Sequence, residues 1–264
     1  MSANGHESQG KICAEHLTVG YGKTVVMQDL DFTVAQGDIF MIMGRSGCGK
    51  STLMKVLIGL NAPMAGRVIY DGVSIWEVSE EQREQLMRRF GVLYQGGALW
   101  SSMTLGENMS LPLRLYTHLP EAEIAEIVAV KLALVGLAGF QSHYPAELSG
   151  GMRKRAALAR AMALDPDVLF FDEPSTGLDP VTARLLDELI VELSTSLGTT
   201  CIIVTHSLQS IFGIGTNGIF LDEESRTATA VGNPRRMAAE STDPKVRQFL
   251  TAAAAPQRAE GRRV

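Results

Sequence analysis

The chain has 264 residues, enough to bury a sizeable core as one large domain or as one domain carrying an inserted lobe. Hydrophobic residues make up 45% and charged residues 20%, as in ordinary globular proteins, and 24 basic against 29 acidic residues give a formal net charge of −5, so nucleic acid is not an expected partner. No apolar stretch approaches the roughly 20 residues that span a bilayer, and Cys13, Cys48 and Cys201 are too scattered for a disulfide framework or a zinc site. With a polar stretch at 1–10, the expectation is a chain that stays on the cytosolic side, any membrane role falling to separate subunits.

In chain order, β-rich segments at 12–19 and 67–70, with turn signals at Gly20-Tyr21-Gly22 and Asp71-Gly72, flank an apolar run at 39–43. That run reads as a strand buried on both faces. Directly after it stands Gly44-Arg45-Ser46-Gly47-Cys48-Gly49-Lys50-Ser51, which fits G-x-x-x-x-G-K-[ST] at every defined position. The helix-forming stretch at 52–58, starting with Thr52, turns its N-terminus toward the same point. Small glycines let backbone N–H groups turn inward around phosphates, Lys50 reaches the β- and γ-phosphates, and the Ser51 hydroxyl can ligate Mg²⁺. A nucleoside triphosphate is the predicted ligand. Cys48 reads as a small loop residue whose side chain matters little.

From about 77 to 164 the composition turns helical, with candidate helices at 80–89 and 121–135 and few strand signals, as in an inserted lobe. Within it, Leu148-Ser149-Gly150-Gly151-Met152 precedes a helical segment at 153–163 and offers a second Gly-rich anion site, or, more plainly, a serine N-cap. Two further apolar runs, 168–171 and 201–204, are separated by a helical stretch at 181–197, and this βαβ alternation predicts a parallel sheet. The runs end in Asp172-Glu173 and Thr205-His206, as the first ends in the glycine loop. Ligands of open α/β sheets bind beyond the carboxyl ends of strands, so the three ends are expected to meet at one nucleotide. The tail after Thr251, rich in Ala and Arg, is expected to be frayed or disordered.

Phosphoryl transfer to water needs a cradle for the phosphates, a metal held by oxygen ligands, and a group that orients or deprotonates the water. Asp172 suits the carboxylate that holds Mg²⁺ through its water shell, and Glu173 the general base. Adjacent acids before Pro174-Ser175-Thr176 can also be a mere helix cap; the glycine loop tips the balance toward chemistry. His206 is a candidate to contact the γ-phosphate and keep Glu173 and the water in line, against the plainer reading of a hydrogen-bonded structural histidine.

As an ordered set these motifs resemble the ATP-binding-cassette (ABC) ATPases: the L-S-G-G signature at 148–151, the second acidic motif at 168–173, and a D-loop at Ser175-Thr176-Gly177-Leu178-Asp179. The resemblance covers about 11 to 232. It implies an α/β phosphate-loop fold with a RecA-like core, an antiparallel β subdomain and a helical subdomain inserted at about 96–164. The ABC domain would span 11–240, and 241–264 would be a partly disordered C-terminal extension. It further implies ATP hydrolysis with Mg²⁺, Tyr21 stacked on adenine, Gln95 as the Q-loop glutamine that approaches Mg²⁺ and couples to a membrane subunit, and His206 as the switch histidine. Two copies would pair head to tail, each ATP lying between the phosphate loop of one and Ser149, Gly150, Gly151 and Met152 of the other, with Asp179 at the same junction. Met152 stands where glutamine is common, which removes an amide but leaves the serine and glycine contacts.

The stretch 93–108 opens the region where such ATPases receive the coupling helix of a permease. Leu99, Trp100 and Met103 are candidates for that groove, with internal packing the equal alternative for each. Together with the run L-S-G-G-M-R-K-R at 148–155 and Asp243-Pro244-Lys245-Val246-Arg247-Gln248-Phe249-Leu250, this stretch is similar to the ATPases of the Mla phospholipid-transport branch. That similarity implies an integral membrane permease, a lipid-binding protein of the mammalian-cell-entry (MCE) type, and a peripheral position on the cytoplasmic face of the bacterial inner membrane. An amino-acid or other small-solute importer is the alternative within the family. A cytosolic ABC protein without a transport role is the alternative outside it, although tandem cassettes, coiled-coil insertions and metal-cluster cysteines are not visible.

Overall fold

The structure, a computed structural model, describes residues 11–251; the polar stretch at 1–10 and the tail expected to fray after Thr251 lie outside the described residues. The chain opens with a hairpin of β1 (Ile12–Tyr21) and β2 (Thr24–Val34). Ile12, Ala14, Leu17 and Val19 of β1 point inward, and the period of two slips at His16, whose left-handed backbone (φ 46) absorbs the extra residue as a bulge. Next come β3 (Ile39–Gly44), α1 (Lys50–Leu57), β4 (Ala65–Tyr70), the short β5 (Val73–Ser74), α2 (Glu80–Met87) and β6 (Phe90–Leu93). The helical region holds α3 (Leu105–Tyr116), α4 (Glu121–Leu134) and α5 (Gly150–Ala161). Thr104 and Glu107 form a reciprocal capping box that fixes the start of α3. The chain then forms β7 (Val168–Asp172), α6 (Pro180–Leu197), β8 (Thr200–Val204), α7 (Leu208–Ile214), β9 (Asn217–Asp222), β10 (Thr227–Val231), α8 (Pro234–Glu240) and α9 (Pro244–Thr251).

Two sheets result. The smaller is antiparallel, in the order β2-β1-β4-β5, and the larger runs β10-β9-β3-β8-β7-β6, parallel except for β10. Side-chain alternation along the central strands divides the interior in two. Phe40, Ile42, Phe170, Ile202 and Val204 face α1 and the antiparallel sheet, whereas Met41, Met43, Phe171 and Ile203 face the helices on the other side. Both faces being covered explains the unbroken apolar runs.

The region 77–164 is less purely helical than its composition suggests. Phe90–Leu93 is a strand that pairs in parallel with β7 at the sheet edge, so α3 and α4 branch off beyond it. Its Gly91 lets the sheet press on α5, because a Cβ there would collide with the Ala161 carbonyl. The strand Asn217–Asp222 also extends the sheet beyond the two later runs read from the sequence, placing a second parallel neighbour beside β3, the strand that leads into the glycine loop.

Candidate nucleotide site

β3 lies between β8 and β9, and the loop after it turns on glycines. Gly44 (φ 146) passes so close to Cys48 and to the Leu221 carbonyl that a Cβ would strike both. Gly49 (φ 98) caps α1 in the left-handed region, with Val26 occupying the space a Cβ would need. The bend aims the N-terminus of α1 back across the loop. Lys50, only 7% exposed, donates from Nζ to the carbonyls of Gly44 (3.0 Å) and Arg45 (2.9 Å), so its charge lies within the curve of the loop. A cation and a helix N-terminus facing one hollow make an anion site.

The ends of β7 and β8 stand beside it. The Ser51 hydroxyl donates to Asp172 Oδ1 at 3.3 Å. Burial pushes the Asp172 carboxyl above its ordinary value against the pull of that hydrogen bond, and the Glu173 charge adds to the rise. A hydroxyl and a carboxylate so paired are hard oxygen donors, a set that fits Mg²⁺. Glu173 has a left-handed backbone (φ 49), pinned by its N–H donating to the Val204 carbonyl at 2.9 Å. Its side chain is held at both oxygens: His206 Nδ1 lies 2.9 Å from Oε1, and the Thr176 hydroxyl donates to Oε2 at 3.3 Å.

Gly44, Arg45, Ser46, Gly47, Gly49, Lys50, Ser51, Thr52, Gln95, Glu173 and His206 line one cavity of about 660 Å³. The three strand ends therefore meet as expected. Asp172 stands behind Ser51, and the Cys48 side chain is buried against Gly44, in keeping with a passive role. Tyr21, 49% exposed, accepts a hydrogen bond from Thr52 at 3.4 Å and leaves its ring open at the start of α1. Thr176 and Phe249 line the cavity as well. Thr176 belongs to a motif already read as the D-loop. Phe249 was readable only through the Val246, Phe249, Leu250 spacing, which puts one face of α9 against the body of the protein.

Ser149, Gly150, Gly151, Met152 and Asp179 do not reach this cavity. Within one chain Ser149 is the N-cap of α5, accepting from the Met152 N–H at 3.3 Å. Asp179 caps α6 by accepting from the N–H groups of Val181 (3.1 Å) and Thr182 (3.0 Å). The two caps form one packed unit, since a Cβ on Gly151 would overlap the Thr182 methyl group.

A second hollow, of about 630 Å³, lies between α2, β6, α3 and the end of α5, with Trp100, Pro112, Leu115 and Tyr116 on its walls. Of the three residues expected there, Trp100 lines it and is 57% exposed, Leu99 packs against the core instead, and Met103 is not on the walls. The cause is Asn108, fully buried, which accepts from the Trp100 N–H at 2.8 Å and donates to the carbonyls of Trp100 and Thr104, curling 100–104 so that Leu99 turns inward.

The family described as ABC transporter matches residues 27–176. The probable ribonucleotide transport ATP-binding protein mkl of Mycobacterium tuberculosis (strain H37Rv) is 42% identical over 234 residues, 89% of this chain but 64% of its own, so the chain spans less than two thirds of that relative. The intermembrane phospholipid transport system ATP-binding protein MlaF of Haemophilus influenzae is 39% identical over 243 residues, 92% of this chain and 91% of its own. MlaF of Escherichia coli K12 is 40% identical over 229 residues, 87% and 84% respectively. Among solved structures, cbiO1 of Clostridium perfringens, part of the ABC transporter complex cbiONQ, superposes with a TM-score of 0.80 at 28% identity, over 92% of this chain and 95% of that one. The ATP-binding cassette MJ0796, in a dimeric post-hydrolysis state bound to ADP and Pi, does so with a TM-score of 0.74 at 26% identity, over 83% and 97%. By its motifs, its fold and these relationships, the chain belongs to the ABC transporter family, as an ATP-binding cassette.

Proposed function

We propose that the chain is the ATP-hydrolysing subunit of a bacterial ABC transporter that energises phospholipid transport between the inner and outer membranes. The observation that carries the chemistry is the Glu173 carboxylate, held by His206 and Thr176 on the wall of the cavity that the glycine loop opens into. In this reading ATP lies with its phosphates in the loop 44–52 and its adenine on Tyr21. Lys50 exchanges the Gly44 and Arg45 carbonyls for the β- and γ-phosphates. Ser51, Asp172 and Gln95 would hold Mg²⁺, which when bound supplies positive charge against the phosphates. Glu173 takes the proton of the attacking water, and His206 keeps the carboxylate and the water in line with the γ-phosphate. The products are ADP and phosphate.

The signature completes the site from a second copy. Ser149, Gly150, Gly151 and Met152 open a helix N-terminus away from their own chain's cavity, and Asp179 packs beside them, which suits a head-to-tail homodimer with ATP between the copies. Residues 11–240 would be the ABC domain, 96–164 its helical subdomain, and 241–264 an extension. Among the described residues no helix is long and apolar enough to cross a membrane. The Trp100 groove would receive a helix of an integral membrane permease, leaving the chain peripheral on the cytoplasmic face of the inner membrane, with no part in nucleic-acid binding.

The lipid substrate rests on similarity to the MlaF proteins, which match over most of both chains, and the MCE-type partner on the resemblance of 93–108, 148–155 and 243–250 to the Mla branch. The mkl name favours a small solute, over a smaller share of that relative. The test is a vesicle reconstitution with the permease and MCE protein, in which wild-type chain moves phospholipid in an ATP-dependent way and Trp100→Glu, which would bury an unpaired charge at the permease contact, does not. Movement of an amino acid or a ribonucleotide with no effect on lipid would overturn the lipid assignment.

A further inference from the structure

α5 carries two cations, Lys154 buried and Arg160 half-buried, whose partners in the loop 95–98 are main-chain carbonyls rather than carboxylates. Lys154, 8% exposed, donates from Nζ to the Gln95 carbonyl. Arg160 donates from Nη1 to the Ala98 carbonyl at 2.6 Å and from Nη2 to the Gly97 carbonyl at 3.3 Å. Burial lowers the pKa of both, although the nearby Asp172 and Glu173 charges oppose the change at Lys154. A buried cation is costly, and a leucine or methionine would fill the place of Lys154 more cheaply unless the carbonyl contact matters; Arg160, half-buried, spends its guanidinium on two carbonyls of the same loop.

The loop they hold has a shape of its own. Gly97 and Ala98 are both left-handed (φ 76 and 52), and a Cβ on Gly97 would come within 3.3 Å of the Ala157 Cβ. Lys154, Ala157 and Arg160 follow one another at intervals of three, so 95–98 lies along a single stripe of the helix. Ala98 holds a conformation that non-glycine residues seldom adopt, and the guanidinium fixes its carbonyl there.

The stripe joins three places. Ser149, at the N-terminus of α5, opens the signature; Gln95 lines the nucleotide cavity; Arg160 and Trp100 both line the groove beside α3. We infer that Lys154 and Arg160 are positioning residues that fasten the loop 95–98 to the signature helix, so that a change at the nucleotide is delivered to the groove and to the signature as one rigid movement. The inference rests on the ATPase and permease reading above and adds to it the two residues that carry the coupling.

Trp100 provides the readout, because Trp76→Phe leaves it as the sole tryptophan of the full chain. In that background, saturating Mg²⁺ with a non-hydrolysable ATP analogue is expected to shift Trp100 emission. Arg160→Met and Lys154→Met are each expected to shrink the shift about fivefold while the dissociation constant of a fluorescent ATP analogue stays within about twofold. Arg160→Lys keeps one donor and is expected to retain an intermediate response; Lys154→Arg keeps carbonyl donation and is expected to restore most of it. Failure of the unmodified chain to bind the analogue would sink the ATPase reading itself. Normal binding with a Trp100 signal that ignores nucleotide, or that survives both methionine substitutions together, would overturn the coupling role alone. Equal loss of affinity and signal in the methionine and conservative variants would overturn it too, as a general loss of structure.

Discussion

His206 Nδ1 and Glu173 Oε1 lie 2.9 Å apart, although one follows β8 and the other follows β7, 33 residues earlier in the chain. Parallel pairing of Asp172 with Val204 sets that distance, because it brings the two strand ends level. The contact gives the carboxylate one orientation before any substrate arrives.

Glu173→Gln is accordingly expected to keep nucleotide affinity and lose about 10²- to 10⁴-fold in turnover, the usual worth of a positioned general base. Lys50→Ala is expected to weaken affinity and turnover together, since in the proposed site its ammonium would meet the phosphates in ground and transition states alike. Phosphate release beside a nucleotide titration separates the two, and normal hydrolysis by Glu173→Gln would remove that residue from the role of base.

ATP is expected to drive the Glu173→Gln chain into a homodimer, visible by sedimentation, because slow turnover preserves the γ-phosphate that would bridge the copies. Ser149→Arg is expected to keep it monomeric by placing bulk at a helix N-terminus whose positive end repels the new charge. A monomer at high protein and saturating Mg²⁺ and ATP would count against the composite site in the isolated chain.

The raised Asp172 carboxyl has a defined sign. Its native value lies above the ordinary one, so the protonated form is the one favoured by folding, and the charged form that the proposed Mg²⁺ role requires is lost at a higher pH than an unperturbed aspartate would lose it. Mg²⁺ affinity measured by calorimetry is expected to fall on acidification from above the usual carboxylate range. Asp172→Asn is expected to flatten that dependence while lowering affinity throughout; an unchanged pH profile would exclude the carboxylate.

Docking of α9 has the opposite sign. Burial disfavours the charged Asp222, yet hydrogen bonds from Lys245, 2.9 Å to each carboxylate oxygen, and from Ser225 hold it down from the ordinary 3.8 to about 2. The stability this contributes is complete above the ordinary value and is lost as pH falls from there through about 2. Hydrogen exchange in 244–251 is expected to quicken across that window, and Lys245→Met is expected to quicken it already at neutral pH. Because Phe249 packs edge-on against Phe220 (5.2 Å) and lines the nucleotide cavity, Lys245→Met is also expected to alter nucleotide affinity.

Much of this site is legible in the sequence, for a physical reason. The glycine loop, Asp172-Glu173 and His206 each follow an apolar run, and a strand buried on both faces has no room for polar residues until it ends. The weaker strands hid themselves. β6 is a four-residue edge strand interrupted by Gly91 and set between the charged end of α2 and Tyr94-Gln95, and β2 carries Gln28, Asp29 and Asp31 on its open face, so neither gives a strong apolar signal. Leu99 escaped a local reading because its direction is set by the side chain of Asn108, nine positions on, and Phe249 because its neighbour Phe220 is far away in the chain. The strand ends obey local rules; the orientation of loop residues is decided by contacts that sequence distance conceals.

The absence of Ser149 from the walls of its own chain's glycine-loop cavity has a genetic reading. If each working site takes Lys50 from one copy and Ser149 from the other, a Lys50→Ala allele and a Ser149→Arg allele expressed together complement each other. Each mixed pair then holds one site in which both halves are wild type. Lys50→Ala with Glu173→Gln gives no such rescue, since both residues line the same cavity of the same chain and every mixed pair carries a defect on each side.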